Sequence, residues 1–329
     1  MTRNTLKESL ETLNHITLEG IYYFIHLKRN RERVKNDLIE LLVKELPARA
    51  EQFFRAFDSE RLHLFEMVAE QGGCLMKNAL PSGITDDKVH SLTQFGLMFT
   101  VYIKGKKAVY VPIEILNVFN NINKNELKGN ADFNTQFIKK ISGMIYYYGY
   151  LTLDEIFEFL LNIKAAESIE NLKFLEIIYF ASMYYGDIQP EGIGFRHKNL
   201  YNCNIMLNVQ LELNISEYKI FPVKEYVLAG KTNYMKWTKE MFVLRKFIIE
   251  EGANKRLTDK YIFAAWYDFN NGKDFETVYA VLAERFPNKG ERFKSELFDK
   301  IMKMFLTMPN WLLKGYSFQE IMRLETLVC

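Results

Sequence analysis

Three cysteines in 329 residues, Cys74, Cys203 and Cys329, are too few, too far apart and too odd in number for a disulfide framework, and no CxxC pair offers a zinc knuckle. A reducing, cytoplasmic setting is the expectation. Long apolar runs are missing too. No window approaches the uninterrupted length that crosses a bilayer, and Met1 to Leu13 is polar and charged without an apolar leader core, so neither membrane partner nor secretion is expected. Charge of one sign is also lacking: 43 Lys plus Arg stand against 41 Asp plus Glu. No whole-molecule field draws this chain to a polyanion, and any nucleic-acid contact must rest on local patches.

Catalytic motifs with a known mechanism are absent as well: no Gly-rich phosphate loop ending in Lys-Ser or Lys-Thr, no HExxH, no GxSxG. The histidines His15, His26, His63, His90 and His197 fall in different predicted elements. Only His197 is near a cysteine, Cys203, at a spacing diagnostic of no cysteine-protease family. Asp268 with Asp274, or Asp154 with Glu155 and Glu158, could be paired by folding, yet Asp154 and Glu155 suit a helix N-terminus and Glu158 a solvated face. No enzyme activity, metal or cofactor is expected.

What is present is core-forming material. With 48% hydrophobic and 15% aromatic residues, every region should be folded, and the length exceeds what one core usually spans, which predicts two or three domains, three being favoured. From Thr5 to Leu46, apolar residues at Leu18, Ile21, Phe24 and Ile25, then at Val34, Leu38, Leu42 and Leu46, have helical spacing. The basic turn Lys28-Arg29-Asn30-Arg31-Glu32-Arg33 separates them. This unit (1–48), best in its Lys35-Asn36-Asp37-Leu38-Ile39 start of the second helix, resembles the helix-extension-helix of SAP modules and the Rho termination factor N-terminal domain. The resemblance implies phosphate contacts by Lys28, Arg29, Arg31, Arg33 and Lys35. A solvated charged turn is the other reading.

The segment 49–122 carries the most informative pattern. Asp58 or Ser59 can cap a helix with the apolar face Leu62, Leu64, Phe65 and Val68, ended by Gly72-Gly73. After Cys74-Leu75-Met76 and Pro81-Ser82-Gly83, Thr85 caps a second helix through Val89 and Leu92. Phe95 to Ile103 then reads as a strand, Lys104-Gly105-Lys106-Lys107 as a tight turn, and Ala108 to Val111 as the return before Pro112. Together these elements resemble a winged helix. The resemblance implies DNA, more than RNA, as partner, with Lys104, Lys106 and Lys107 on the backbone and Lys88, His90, Ser91 and Gln94 toward a groove. Asp86 and Asp87 at the start of that helix oppose this, and winged helices also serve as protein-interaction modules.

A third segment, 133–215, repeats the plan in degenerate form: helices Asn134 to Tyr148, Thr152 to Leu161 and Ile169 to Tyr184, then a possible second wing at Gly192 to Lys198 presenting Arg196, His197 and Lys198. The third of these helices is apolar nearly all round, which suits a core better than a groove. The remainder, 219–329, alternates amphipathic runs (Thr238 to Glu251, Thr258 to Phe269, Asp274 to Phe286, Glu291 to Met308) with breaks at Gly252, Asn270-Asn271-Gly272 and Pro287-Asn288. It holds all three tryptophans, Trp237, Trp266 and Trp311, as expected of an all-helical domain with its own dense core. Its run Met308-Pro309-Asn310-Trp311-Leu312-Leu313-Lys314-Gly315-Tyr316-Ser317 resembles a segment preceding SEC-C knuckles in bacterial proteins. The knuckle's ligands are not present, so no metal carries over, and the resemblance implies only a bacterial or mobile-element setting.

The fold expectation is therefore mainly α with small β-hairpins (α+β): an N-terminal helical unit, one or two winged helices and an all-helical C-terminal domain. The functional expectation is a non-enzymatic nucleic-acid-binding transcriptional regulator or architectural factor whose C-terminal helices contact a protein partner or self-associate. The alternative is an adaptor whose winged helices bind proteins instead of DNA.

Overall fold

The computed structural model describes residues 4–26, 34–163 and 171–328. In chain order the first elements are α1 (Leu6–Glu11), α2 (His15–His26), α3 (Lys35–Arg55), α4 (Ser59–Glu70), β1 (Cys74–Met76), α5 (Asp86–Gln94), β2 (Phe99–Ile103), β3 (Lys106–Tyr110), α6 (Ile113–Asn121) and α7 (Lys124–Tyr148). Then come β4 (Tyr150–Thr152), α8 (Leu153–Asn162), α9 (Asn171–Tyr185), β5 (Ile188–Glu191) and β6 (Gly194–His197). The chain closes with α10 (Cys203–Glu212), α11 (Val223–Ala229), α12 (Lys239–Glu250), α13 (Lys255–Asn270), α14 (Phe275–Ala283), α15 (Glu291–Thr307) and α16 (Phe318–Val328). The protein is thus mainly α with two small three-stranded antiparallel sheets, as the sequence predicts. It divides into two compact units, Met1–Ile138 with Ser168–Gly186, and Lys139–Glu167 with Asp187–Cys329.

In the first unit, Asp58 caps α4 by accepting from the Arg61 amide at 3.0 Å, and Thr85 caps α5 by accepting from Lys88. The sheet runs β1-β3-β2, with Cys74 opposite Tyr110 and Phe99 opposite Tyr110 on the other side. Lys104 (φ 49°) and Gly105 (φ 75°) form the two-residue turn between β2 and β3, both left-handed as the twist of a tight hairpin demands. Phe95 ends α5 and Gly96 turns at φ 68°, so the strand starts at Phe99, later than the β-prone run at Phe95 predicts. The core is aromatic: Phe54 packs edge-on against Phe57, Phe65 and Phe119, and Phe180 of α9 meets Phe53 and Phe95 at 5.0 and 4.6 Å. Toward the N-terminus the described residues form three helices where the spacing predicts two, and α3 continues through Pro47 to Arg55.

In the second unit, the sheet runs β4-β6-β5, and Thr152 and Glu155 form a reciprocal cap on α8. The two sheets share a chain order of helix, strand, helix, helix, strand, strand. In the first sequence, α4 to β3, a 3-10 turn at Lys77–Ala79 stands where α8 stands in the second, α7 to β6. One member changes unit: α9, third helix of the second sequence, belongs to the first unit. The second unit's core gathers around Trp266 and Trp311, both buried. The Trp311 indole donates to the Tyr146 carbonyl at 2.8 Å, and the Tyr146 ring stacks on Trp266. The four C-terminal amphipathic runs are α12 to α15, while α6, α10, α11 and α16 arise where periodicity gave no expectation.

Two glycines let α7 and α11 touch backbone to backbone. A Cβ at Gly143 would lie 1.9 Å from the Tyr226 carbonyl oxygen, and one at Gly230 would lie 1.8 Å from that of Lys139. Gly129, in the same helix α7, has open space around it. Gly129→Ala should therefore stabilise the protein by about 0.5–1 kcal/mol through helix propensity. Gly143→Ala should destabilise it by about 3 kcal/mol through overpacking against rigid backbone. Paired thermal melts read both, and equal effects would contradict the close approach.

Candidate nucleic-acid interface

The winged-helix resemblance singles out α5 and the β2–β3 tip, and charge decides what these elements can offer. At the tip, Lys104 and Lys106 are exposed and enter no ion pair among the described residues. Lys107 is different: its ammonium sits 2.8 Å from the Asp86 carboxylate, which also takes Lys77 at 2.6 Å. Hydrogen bonds from Lys107 first, then Lys77, pull the Asp86 carboxyl down to about 2. One of the acidic residues that opposed phosphate binding thus tethers a wing lysine to the start of α5.

Along α5 the candidates divide. His90 is exposed, with its Nε2 3.4 Å from the Gln94 side-chain nitrogen. Ser91 is buried and donates to the Lys88 carbonyl. Lys88 turns inward, and its ammonium donates to Glu60 at 2.6 Å and to the Gly83 carbonyl at 3.0 Å while lying over the Tyr184 and Tyr185 rings. Those tyrosines belong to α9, which packs on α5 within the first unit. Tyr184 also donates its hydroxyl to Glu60 at 3.1 Å.

Beneath this contact lies a buried ion pair. Arg61 Nη2 is 3.0 Å from Asp58, with both side chains almost wholly enclosed, and the guanidinium also reaches the Ala56 carbonyl and the faces of Phe57 and Tyr184. Burial, then the nearby Glu60 carboxylate, raises the Tyr184 hydroxyl well above its ordinary range, and burial with Asp58 does the same for Tyr185. The network Asp58, Glu60, Arg61, Lys88 and Tyr184 escaped motif reasoning, although one signal was there. Arg61 lies on the helical stripe of Leu64, Phe65 and Val68, and a cation on an apolar stripe needs a buried partner.

Elsewhere the candidates are dispersed. Lys28, Arg29, Arg31 and Arg33 lie outside the described residues, and Lys35 donates to the Glu11 carbonyl at 2.9 Å. In the β5–β6 hairpin, which turns at Gly192 (φ 55°), Arg196 pairs with Glu191 at 3.3 Å and donates to the Leu200 carbonyl, and Lys198 pairs with Asp187 at 2.6 Å. His197 alternates with Phe195 on the enclosed face and is 6% exposed. Its Nδ1 accepts from the Asn199 amide at 3.2 Å, which leaves the proton on Nε2. Among the described residues the free cysteines are Cys74 and Cys203, and no group of His, Cys, Asp and Glu could hold a metal ion. No described helix is long and apolar enough to cross a membrane.

Burial above all, then Lys198 and Arg196, lowers the His197 imidazolium to about 3. Its folded value thus lies below the unfolded one, so the unfolded chain takes up the proton first. Stability from this group is complete above about pH 6.5 and is lost as pH falls toward 3, at about 1.4 kcal/mol per unit. Chemical denaturation between pH 7 and 4 should show this loss, and His197→Gln should flatten that part of the curve. An unchanged slope would mean that His197 protonates freely in the fold. Compared with protein-family models, with curated proteins and with solved structures, the chain matches none.

Proposed function

We propose that this chain is a non-enzymatic protein-interaction adaptor built on two winged-helix-like element sets, the first of which has turned its groove-reading helix inward. The occupation of α5 by α9 carries this reading: Lys88, the cation best placed on α5 to meet a phosphate, is spent on Glu60 and two tyrosine faces. Freeing it would cost Lys88 a carboxylate, a carbonyl and two ring faces, an unfavourable exchange for a phosphate contact in water. A surface for a partner is available on the second unit. Tyr201, just before α10, and Ile205 and Leu211, six residues apart along it, are apolar side chains 67%, 57% and 77% exposed, which a partner could bury.

A second reading has its own observation. Lys104 and Lys106 are exposed at the tip and enter no ion pair among the described residues, which supports backbone contact with DNA, as in a bacterial or mobile-element regulator that grips phosphates without reading bases. Fluorescence anisotropy of duplex and single-stranded oligonucleotides at two salt concentrations separates the two. The adaptor reading predicts no salt-sensitive binding and no change in the Lys104→Glu, Lys106→Glu double variant. It also predicts that Ile205→Lys with Leu211→Lys abolishes retention of a co-purifying partner at unchanged melting temperature. Salt-steep duplex binding lost in the double lysine variant would replace it with the second reading.

A further inference from the structure

A cleft of about 290 Å³ opens in the second unit between the end of α11, the second half of α7, the β6 end and α13. Ala229 and Gly230 line it where Gly230 is held against the α7 backbone by the close approach described above. Tyr146, Tyr234, Phe263 and Tyr267 form aromatic walls, and His197 lines it from the sheet side. His197 is 6% exposed, its Nδ1 is satisfied by Asn199, and its Nε2–H has no hydrogen-bond partner among the described residues. Of the charged residues lining it, Asp187 and Lys198 neutralise one another at 2.6 Å, and Lys231 is exposed to solvent.

From this geometry we propose that the cleft binds a small, uncharged heteroaromatic ring carrying a hydrogen-bond acceptor in its plane, the chemistry of a nucleobase. Rings suit the walls because tyrosine and phenylalanine faces bury planar surface with little loss of side-chain freedom. An acceptor suits the cleft because a purely apolar ring would seal the Nε2–H without a partner, and a buried unpaired donor is costly. The volume admits one ring or a fused pair, being close to the lower end of small-molecule pockets. This site is independent of α5, the wing and the exposed apolar residues of α10, so it stands or falls separately from the adaptor reading.

The test titrates the full chain with adenine and benzimidazole, and with indole as a near-isosteric control whose ring has no in-plane acceptor, using calorimetry. Saturable binding of the first two is expected, with indole weaker by about tenfold or more. His197→Gln, which keeps a donor, should retain part of the affinity, and His197→Phe should lose the discrimination against indole. Because the Phe variant changes a packed ring, a second measurement uses the unaltered protein: the His197 Nε2–H resonance should shift on adding adenine. Failure of adenine to bind saturably, equal affinity for indole and benzimidazole, or an unmoved His197 resonance would each overturn the proposal.

Discussion

A charge enclosed in protein must be paired, and in the first unit that requirement fixes most of what surrounds it. Arg61 enters the apolar stripe of α4 and is held by Asp58, the residue that also caps the helix, so helix start and ion pair are one device. Around it Glu60 gathers the Lys88 ammonium and the Tyr184 hydroxyl, joining α4, α5 and α9 through a single carboxylate. Removing Asp58 would leave the enclosed Arg61 without its carboxylate, and an enclosed charge costs far more unpaired than it contributes when paired. The placement of α5 thus combines this ion pairing with the burial of Val89 and Leu92.

Element type was legible in the sequence because hydrophobic period and cap residues are local. Asp58, Thr85 and Thr152 initiate helices as their side chains suggest, and Lys104-Gly105 turns the first hairpin. The apolar character of α9 also foretold its place in a core, where Ile177, Ile178, Phe180 and Tyr184 are buried. Boundaries were harder: Phe95 and Leu97 have strand composition, yet the left-handed turn at Gly96 intervenes. The candidate site was least legible of all. Whether a lysine faces solvent or a carboxylate depends on long-range partners, and Lys88 meets residues from α4 and α9 that no local pattern connects.

His197 illustrates the same limit from the other side. Its alternation with Phe195 marks an inward residue, so the basic triplet at the second hairpin was never three solvent-facing cations. Arg196 and Lys198, flanking it, are neutralised by Glu191 and Asp187. Near-equality of positive and negative residues in the composition is mirrored locally, with cations answered by nearby carboxylates at both hairpins. At the first tip, Lys104 and Lys106 enter no ion pair among the described residues.

The assignment of α9 to the first unit has a consequence for the order of events on the ribosome. Synthesis runs from the N-terminus at about 5–20 residues per second, and domains generally fold as they emerge. Here the first unit has its sheet and α1 to α6 in hand by Asn121, but the helix that covers Lys88 and packs Phe180 on Phe53 is encoded only at 171–185. By then β4 and α8, which belong to the other unit, have already been made. Neither unit is a contiguous stretch of translated chain, so the two complete themselves in an interleaved order, and the lysine on α5 is accessible for as long as the intervening segment takes to emerge.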